Sequence, residues 1–125
     1  MKDFSFVRIK WPQLSWAHLF IALASACKAI KDKLAFHFGK SVFSDLNPQW
    51  WDPDISWMNK YKDWPDDPSP AFFLADTALV WLTDAWHLFD FLTLIFLLVA
   101  MHLKGNFFWG LVVYGVVFNT LYYLF

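Results

Sequence analysis

The sequence predicts an all-α integral membrane protein, with three transmembrane helices and an aromatic-rich interfacial connector. Three observations lead there. Of its 125 residues, 58% are hydrophobic and 22% aromatic, against about 45–50% apolar in an ordinary soluble domain. Two long runs, residues 71–103 and 107–125, are apolar over lengths that suit a bilayer. Between residues 39 and 70 the chain changes character and holds five of its six Pro and four of its nine Trp. The expected layout is a single membrane domain over 1–125, with helix one at 12–38, the connector at 39–69, helix two at 70–103 and helix three at 106–125.

Helix one follows a basic start carrying Lys2, Arg8 and Lys10. Pro12 suits a first helical position, where its missing N–H costs nothing, and Trp11 and Trp16 suit an interfacial belt. Its second half, with Lys28, Lys31, Asp32 and Lys33, is more polar and is expected to leave the hydrocarbon before Gly39. A signal peptide ending at Ala24-Ser25-Ala26-Cys27 is the alternative, disfavoured because a larger aliphatic residue normally stands where Ala24 does.

A structureless connector of this length is uncommon in a folded chain. Phe43, Trp50, Trp51, Trp57, Tyr61 and Trp64 provide more to bury than a solvated linker carries, so an ordered cap over the helix ends is expected. Asn47-Pro48, Asp52-Pro53 and Asp67-Pro68 mark turns. Ser69-Pro70 reads as the N-cap and first residue of helix two. Its 33 residues from Ala71 to Leu103 would run about 50 Å as one helix, longer than a hydrocarbon core of about 30 Å. Lys104-Gly105-Asn106 closes it, with Gly105 available for a left-handed cap. Helix three carries no charged side chain, and the short turn makes helices two and three an antiparallel hairpin. Gly110 and Gly115 are five apart and so do not form the small-residue dimer motif.

Ten basic residues face eleven acids, which gives no footprint for nucleic acid. Every acid is Asp, and a lone Cys27 excludes an internal disulfide. Six lysines on the connector side against four basic residues on the other weakly favour a cytoplasmic connector. No glycine-rich phosphate loop is present. Neither Ser41 nor Ser56 sits in a nucleophile elbow or an S-x-x-K pattern.

Candidate site residues gather on helix two. At about 100° per residue, Asp76, Thr83, Asp84, His87, Asp90 and His102 fall in one sector about 120° wide. Ionisable groups in lipid turn towards a partner helix, water or an ion. Asp84 and His87, three apart, reach one another or one metal ion. With His37 they would form a three-ligand set for a divalent metal such as zinc, His37 arriving from an antiparallel helix one with Asp32 nearby. The competing reading is a hydrogen-bonded Asp–His clamp, or Asp84 paired with a helix-one Lys. A haem or chlorin held by a transmembrane His amid aromatics is a further alternative.

Two strings, SWMNKYK at Ser56–Lys62 and LTDAWH at Leu82–His87, resemble motifs of uncharacterised small membrane proteins of bacteria and their phages, preceded by a segment similar to Asp32–His37. No activity is known for that group. The resemblance implies that Asn59, Lys60, Asp84 and His87 belong to one site, in the bacterial inner membrane or a phage membrane. The expected function is an assembly or binding subunit contacting lipid and either other membrane chains or copies of itself. The rival expectation is a membrane-embedded metal-dependent enzyme acting on a lipid-like substrate.

Overall fold

A computed structural model describes residues 14–125. The expected helix start at Pro12, with Trp11 and the basic residues before it, lies outside them. The described chain is mostly helical. Three long helices, α1 (Trp16–His37), α4 (Ala85–His102) and α5 (Phe107–Leu124), are accompanied by two single-turn helices, α2 (Pro48–Trp51) and α3 (Pro53–Ser56), and by a small hairpin of β1 (Tyr61–Asp63) and β2 (Asp67–Pro70).

α1 is the centre of the bundle, with both α4 and α5 packed along it. It runs antiparallel to α4, as Phe20 meets Phe96 near one end and Lys31 pairs with Asp90 towards the other. It runs parallel to α5, where Ser25 donates to the Tyr114 carbonyl (2.6 Å) and Lys33 to that of Tyr122 (2.9 Å). Small side chains permit the approach: Ala17, Ala24, Ser25 and Ala29 are completely buried. α4 and α5 are therefore consecutive and antiparallel, yet each packs on α1 rather than along the other. An apolar groove of about 250 Å³ separates them, floored by Ile21 and walled by Leu97, Met101, Gly110 and Leu111.

Helix two begins fifteen residues later than the sequence suggests. Ser69 and Pro70 lie in β2, and residues 71–84 form turns and a 3₁₀ turn at Val80–Leu82 before Asp84 caps α4. Hydrophobic content alone does not extend a helix through this stretch, because its backbone closes local turns instead, as in Ala75 to Phe72 and Leu79 to Leu74. Asn47-Pro48 and Asp52-Pro53 likewise open α2 and α3. Each Asx side chain accepts from the amide two residues on while the Pro takes the first helical position.

The connector is ordered across the end of the bundle where α1 finishes and α4 begins. Leu34, Phe43 and Ala85 are buried there, with Ile30, Phe38, Trp50, Trp51, Trp86, Phe89 and Phe125 packed around them. Phe43 stacks on Trp51 (5.2 Å between centroids), tilts against Phe125 (5.3 Å), and Trp51 in turn meets Phe89 (6.1 Å). Outside this core, Trp57, Tyr61 and Trp64 form a second aromatic cluster on the hairpin side. On the hairpin itself, hydrogen bonds from the Ser69 hydroxyl and amide hold the exposed Asp67 carboxyl below the usual carboxylate range.

At the opposite end, Lys104 rather than Gly105 takes the left-handed conformation (φ 51°) between α4 and α5. Gly105 answers a different need. A Cβ there would lie 2.6 Å from the Cβ of Ala17, so its missing side chain lets the turn close against the start of α1.

Among the described residues two helices, not three, are long and apolar enough to cross a membrane: α4 and α5. α1 falls short because Lys28, Lys31, Asp32 and Lys33 crowd its C-terminal half. Those charges find partners within the chain. Lys28 pairs with Asp32, Lys31 with Asp90, and Lys33 with a carbonyl of α5.

Candidate functional site

Asp84 and His87 meet at the start of α4, as cap and first turn rather than as two positions on a helix face. Asp84 has extended backbone (φ −160°) and is the N-cap. Its Oδ1 accepts the His87 amide (2.9 Å), and its Oδ2 lies 2.6 Å from His87 Nδ1 and 3.0 Å from the Thr83 hydroxyl. One buried carboxylate thus satisfies an orphan helix amide and fixes an imidazole. Because a carboxylate only accepts, His87 carries a proton on Nδ1, and in the neutral ring Nε2 is the nitrogen with the lone pair. Asp84 is 1% exposed, whereas the His87 side chain is 21% exposed and opens outward.

The connector supports this corner from behind. Asn59 donates one amide proton to the Thr83 carbonyl (2.9 Å) and the other to the Gln49 carbonyl of α2. Thr83 shares its own hydroxyl between the Val80 carbonyl (2.7 Å) and Asp84. A chain of polar contacts therefore runs from α2 through Asn59 and Thr83 to Asp84 and His87.

A cavity of about 300 Å³ lies in front of the pair, bounded by Ala35, Pro53, Ser56, Trp57, Asp84, Trp86 and His87. Apart from the Asp–His pair, its polar side-chain groups are the two indoles and the hydroxyl of Ser56. Ser56 is 1% exposed, and its Oγ has no hydrogen-bond partner.

The remaining sequence candidates are dispersed. His37 is exposed at the end of α1 with its ring edge-on to Tyr122 (6.1 Å), and it lines a neighbouring polar depression with Lys40, Asp52 and Asp54. No group of three His, Cys or Asp side chains able to hold a metal ion is formed among the described residues, so His37, Asp84 and His87 do not converge. Asp76 is exposed in a turn before α4 and shares no helix face with Asp84. Asp32 and Asp90 serve as ion-pair partners of α1 lysines. Lys60 lies over the rings of Trp57 (5.8 Å) and Tyr61 (5.4 Å), beside the site rather than in it. Ser56, set aside in the sequence for want of an elbow or S-x-x-K pattern, lines the same cavity as His87.

The same N-cap to third-residue spacing recurs at the start of α1 with the opposite outcome. There the Ser15 amide donates to His18 Nδ1 (3.1 Å), so that nitrogen accepts and the proton belongs on Nε2, which is buried without a partner. His18 is buried as part of the helix start, whereas the partly exposed His87 lies on a cavity wall. No protein-family model, curated protein or solved structure matches the chain.

Proposed function

We propose that this protein is a small membrane-embedded assembly or binding subunit, with α4 and α5 as its spans and the aromatic connector as a cap at one membrane face. One observation carries the reading. Only 17% of the α4 apolar window and 6% of the α5 window is buried within the chain. An apolar core helix of a soluble protein would be mostly covered, whereas Leu94, Leu98 and Met101 on α4 and Phe108, Leu111 and Val116 on α5 face outward. Soluble monomers rarely expose contiguous apolar patches beyond a few hundred Å², so these faces need lipid or further chains. The polar contacts of α1 with both neighbours hold the bundle together while those outer faces stay available.

The test is cysteine accessibility after replacing Cys27, which is itself buried. Cysteines at Leu98 and Val116 should resist a water-soluble maleimide in intact membranes and react after detergent solubilisation. A cysteine at Asp66 in the exposed hairpin turn should react in both states from the side it faces. Free reaction at Val116 in intact membranes would remove the spanning assignment. Disulfide cross-linking between copies through the same Val116 position separates self-association from a lipid-only environment.

A further inference from the structure

We propose that the groove between α4 and α5 is a binding site for a phospholipid of net negative charge, with one acyl chain along the groove and the phosphate at Lys104. Ile21 of α1 closes the back of the groove, Leu97 and Met101 form one wall, and Gly110 and Leu111 form the other. A Cβ at Gly110 would lie 2.8 Å from Ile21 Cδ1, so the glycine keeps this floor seated against α5. Met101 and Leu111 are more than half exposed, and the groove therefore opens along the outer face of the bundle. Lys104 stands at its mouth, seven residues beyond Leu97, which is about 10 Å of helix. That depth is about a third of a hydrocarbon core of about 30 Å. A lipid of the adjoining leaflet sets its headgroup at the membrane face and its chain inward along the same path.

Charge identifies the headgroup. Across residues 14–27 and 91–125, which build this end of the bundle, Lys104 is the one side chain with a full charge, and every described carboxylate side chain belongs to residues 32–90. Lys28, Lys31 and Lys33 of α1 each have a partner within the chain. Lys104 has none: among the described residues no carboxylate lies within ion-pair distance of it. Its backbone is left-handed (φ 51°) although Gly105 stands next to it, and strain held at such a position accompanies function more often than stability. Asn106 lines the same mouth, where its Oδ1 accepts the Trp109 amide (3.1 Å) and its NH2 group is left to donate. An ammonium and an amide donor beside an apolar groove suit a phosphate ester on an acyl chain. A choline headgroup would bring a second cation towards Lys104, so an anionic headgroup is favoured over a zwitterionic one. The site rests on the membrane reading, since it needs α4 and α5 to stand in lipid.

Photolabelling of the full-length protein in nanodiscs of phosphatidylcholine with about one-fifth phosphatidylglycerol provides the test. The probe is a trace phospholipid with a diazirine near the ester end of one acyl chain, made with either a glycerol or a choline headgroup, and labelled residues are mapped by peptide mass spectrometry. The glycerol probe should label Leu97, Met101 and Leu111 several-fold more than the choline probe, while both label the outer positions Leu98 and Val116 alike. Lys104→Gln should cut groove labelling by the glycerol probe about fivefold, the worth of one lysine at an anionic surface. Lys104→Arg should keep it, with wild-type helical circular dichroism in both variants. Leu111→Trp keeps the charge but narrows the groove, and should abolish the difference between the probes. Equal groove labelling by the two probes in the wild type, or labelling unchanged in Lys104→Gln, would overturn the inference. So would a groove that neither probe reaches while Leu98 and Val116 are labelled, since another protein segment then fills it. Absence of label at Leu98 and Val116 as well would remove the spanning reading and this site with it, so the two failures are told apart.

Discussion

Asp84 combines tasks that are usually divided among several side chains. It caps a helix, accepts from a hydroxyl and fixes an imidazole while 1% exposed. Replacing an N-cap carboxylate by Ala costs about 0.5–2 kcal/mol, and stranding a buried hydrogen-bonded partner adds about 1–3 kcal/mol. Asp84→Ala should therefore destabilise the bundle by more than an ordinary cap substitution, read as a lower midpoint in thermal melts followed by circular dichroism. Asp84→Asn should cost less, since an amide oxygen still accepts from the His87 backbone. The chain's exclusive use of Asp among its acids fits this kind of work. Asp52, Asp67 and Asp84 all accept local backbone amides, a geometry that the shorter side chain serves well.

At the level of elements, the turn between α4 and α5 and the small face of α1 are built for each other. Gly105 sits where a Cβ would come within 2.6 Å of Ala17, so Gly105→Ala has to push the turn away from α1. Overpacking of this kind typically costs about 1–3 kcal/mol, and the thermal midpoint should fall accordingly. Gly39→Ala is the matched control, because nothing lies within 4 Å of a Cβ at that position. Lys104 offers the reverse experiment. Its left-handed backbone (φ 51°) is costly for a residue with a Cβ, so Lys104→Gly should be neutral or stabilising in the same melts.

For the molecule as a whole, the aromatic cap ties three separate parts of the sequence into one end of the bundle. Phe43 and Trp51 come from the connector, Phe89 from α4 and Phe125 from beyond α5, with the Val42 amide bonded to the Phe125 carbonyl (2.9 Å). Truncating a buried Phe costs about 3–5 kcal/mol. Phe43→Ala should loosen the cap before it unfolds the helices, giving faster protease cleavage within residues 45–68 at little change in helical content. An unchanged digestion pattern would show that the connector does not depend on this cluster. The charged half of α1 is the second global device. Lys31 and Lys33 reach α4 and α5 respectively, so one polar helix orients two apolar ones that hardly touch.

The helical class, the two apolar helices and the aromatic character of the connector were legible in the sequence, because long uncharged runs and dense Trp have few other outcomes. Pairing of Asp84 with His87 was legible too, since a spacing of three places them together either on a helix face or across an N-cap. Which of these it was could not be read from the sequence. Residues 70–84 are apolar enough for a helix, and only the connector, through Asn59 bonding to the Thr83 carbonyl, shows the chain entering α4 at Asp84. Tertiary structure also decided that Asp76 lies apart from the site and that His37 faces Tyr122. It brought Ser56 to the cavity of His87, thirty-one residues on in the chain. Periodicity records which side of one element is apolar; contacts between elements depend on how loops return the chain, and here that was set by caps, turns and the small face of α1.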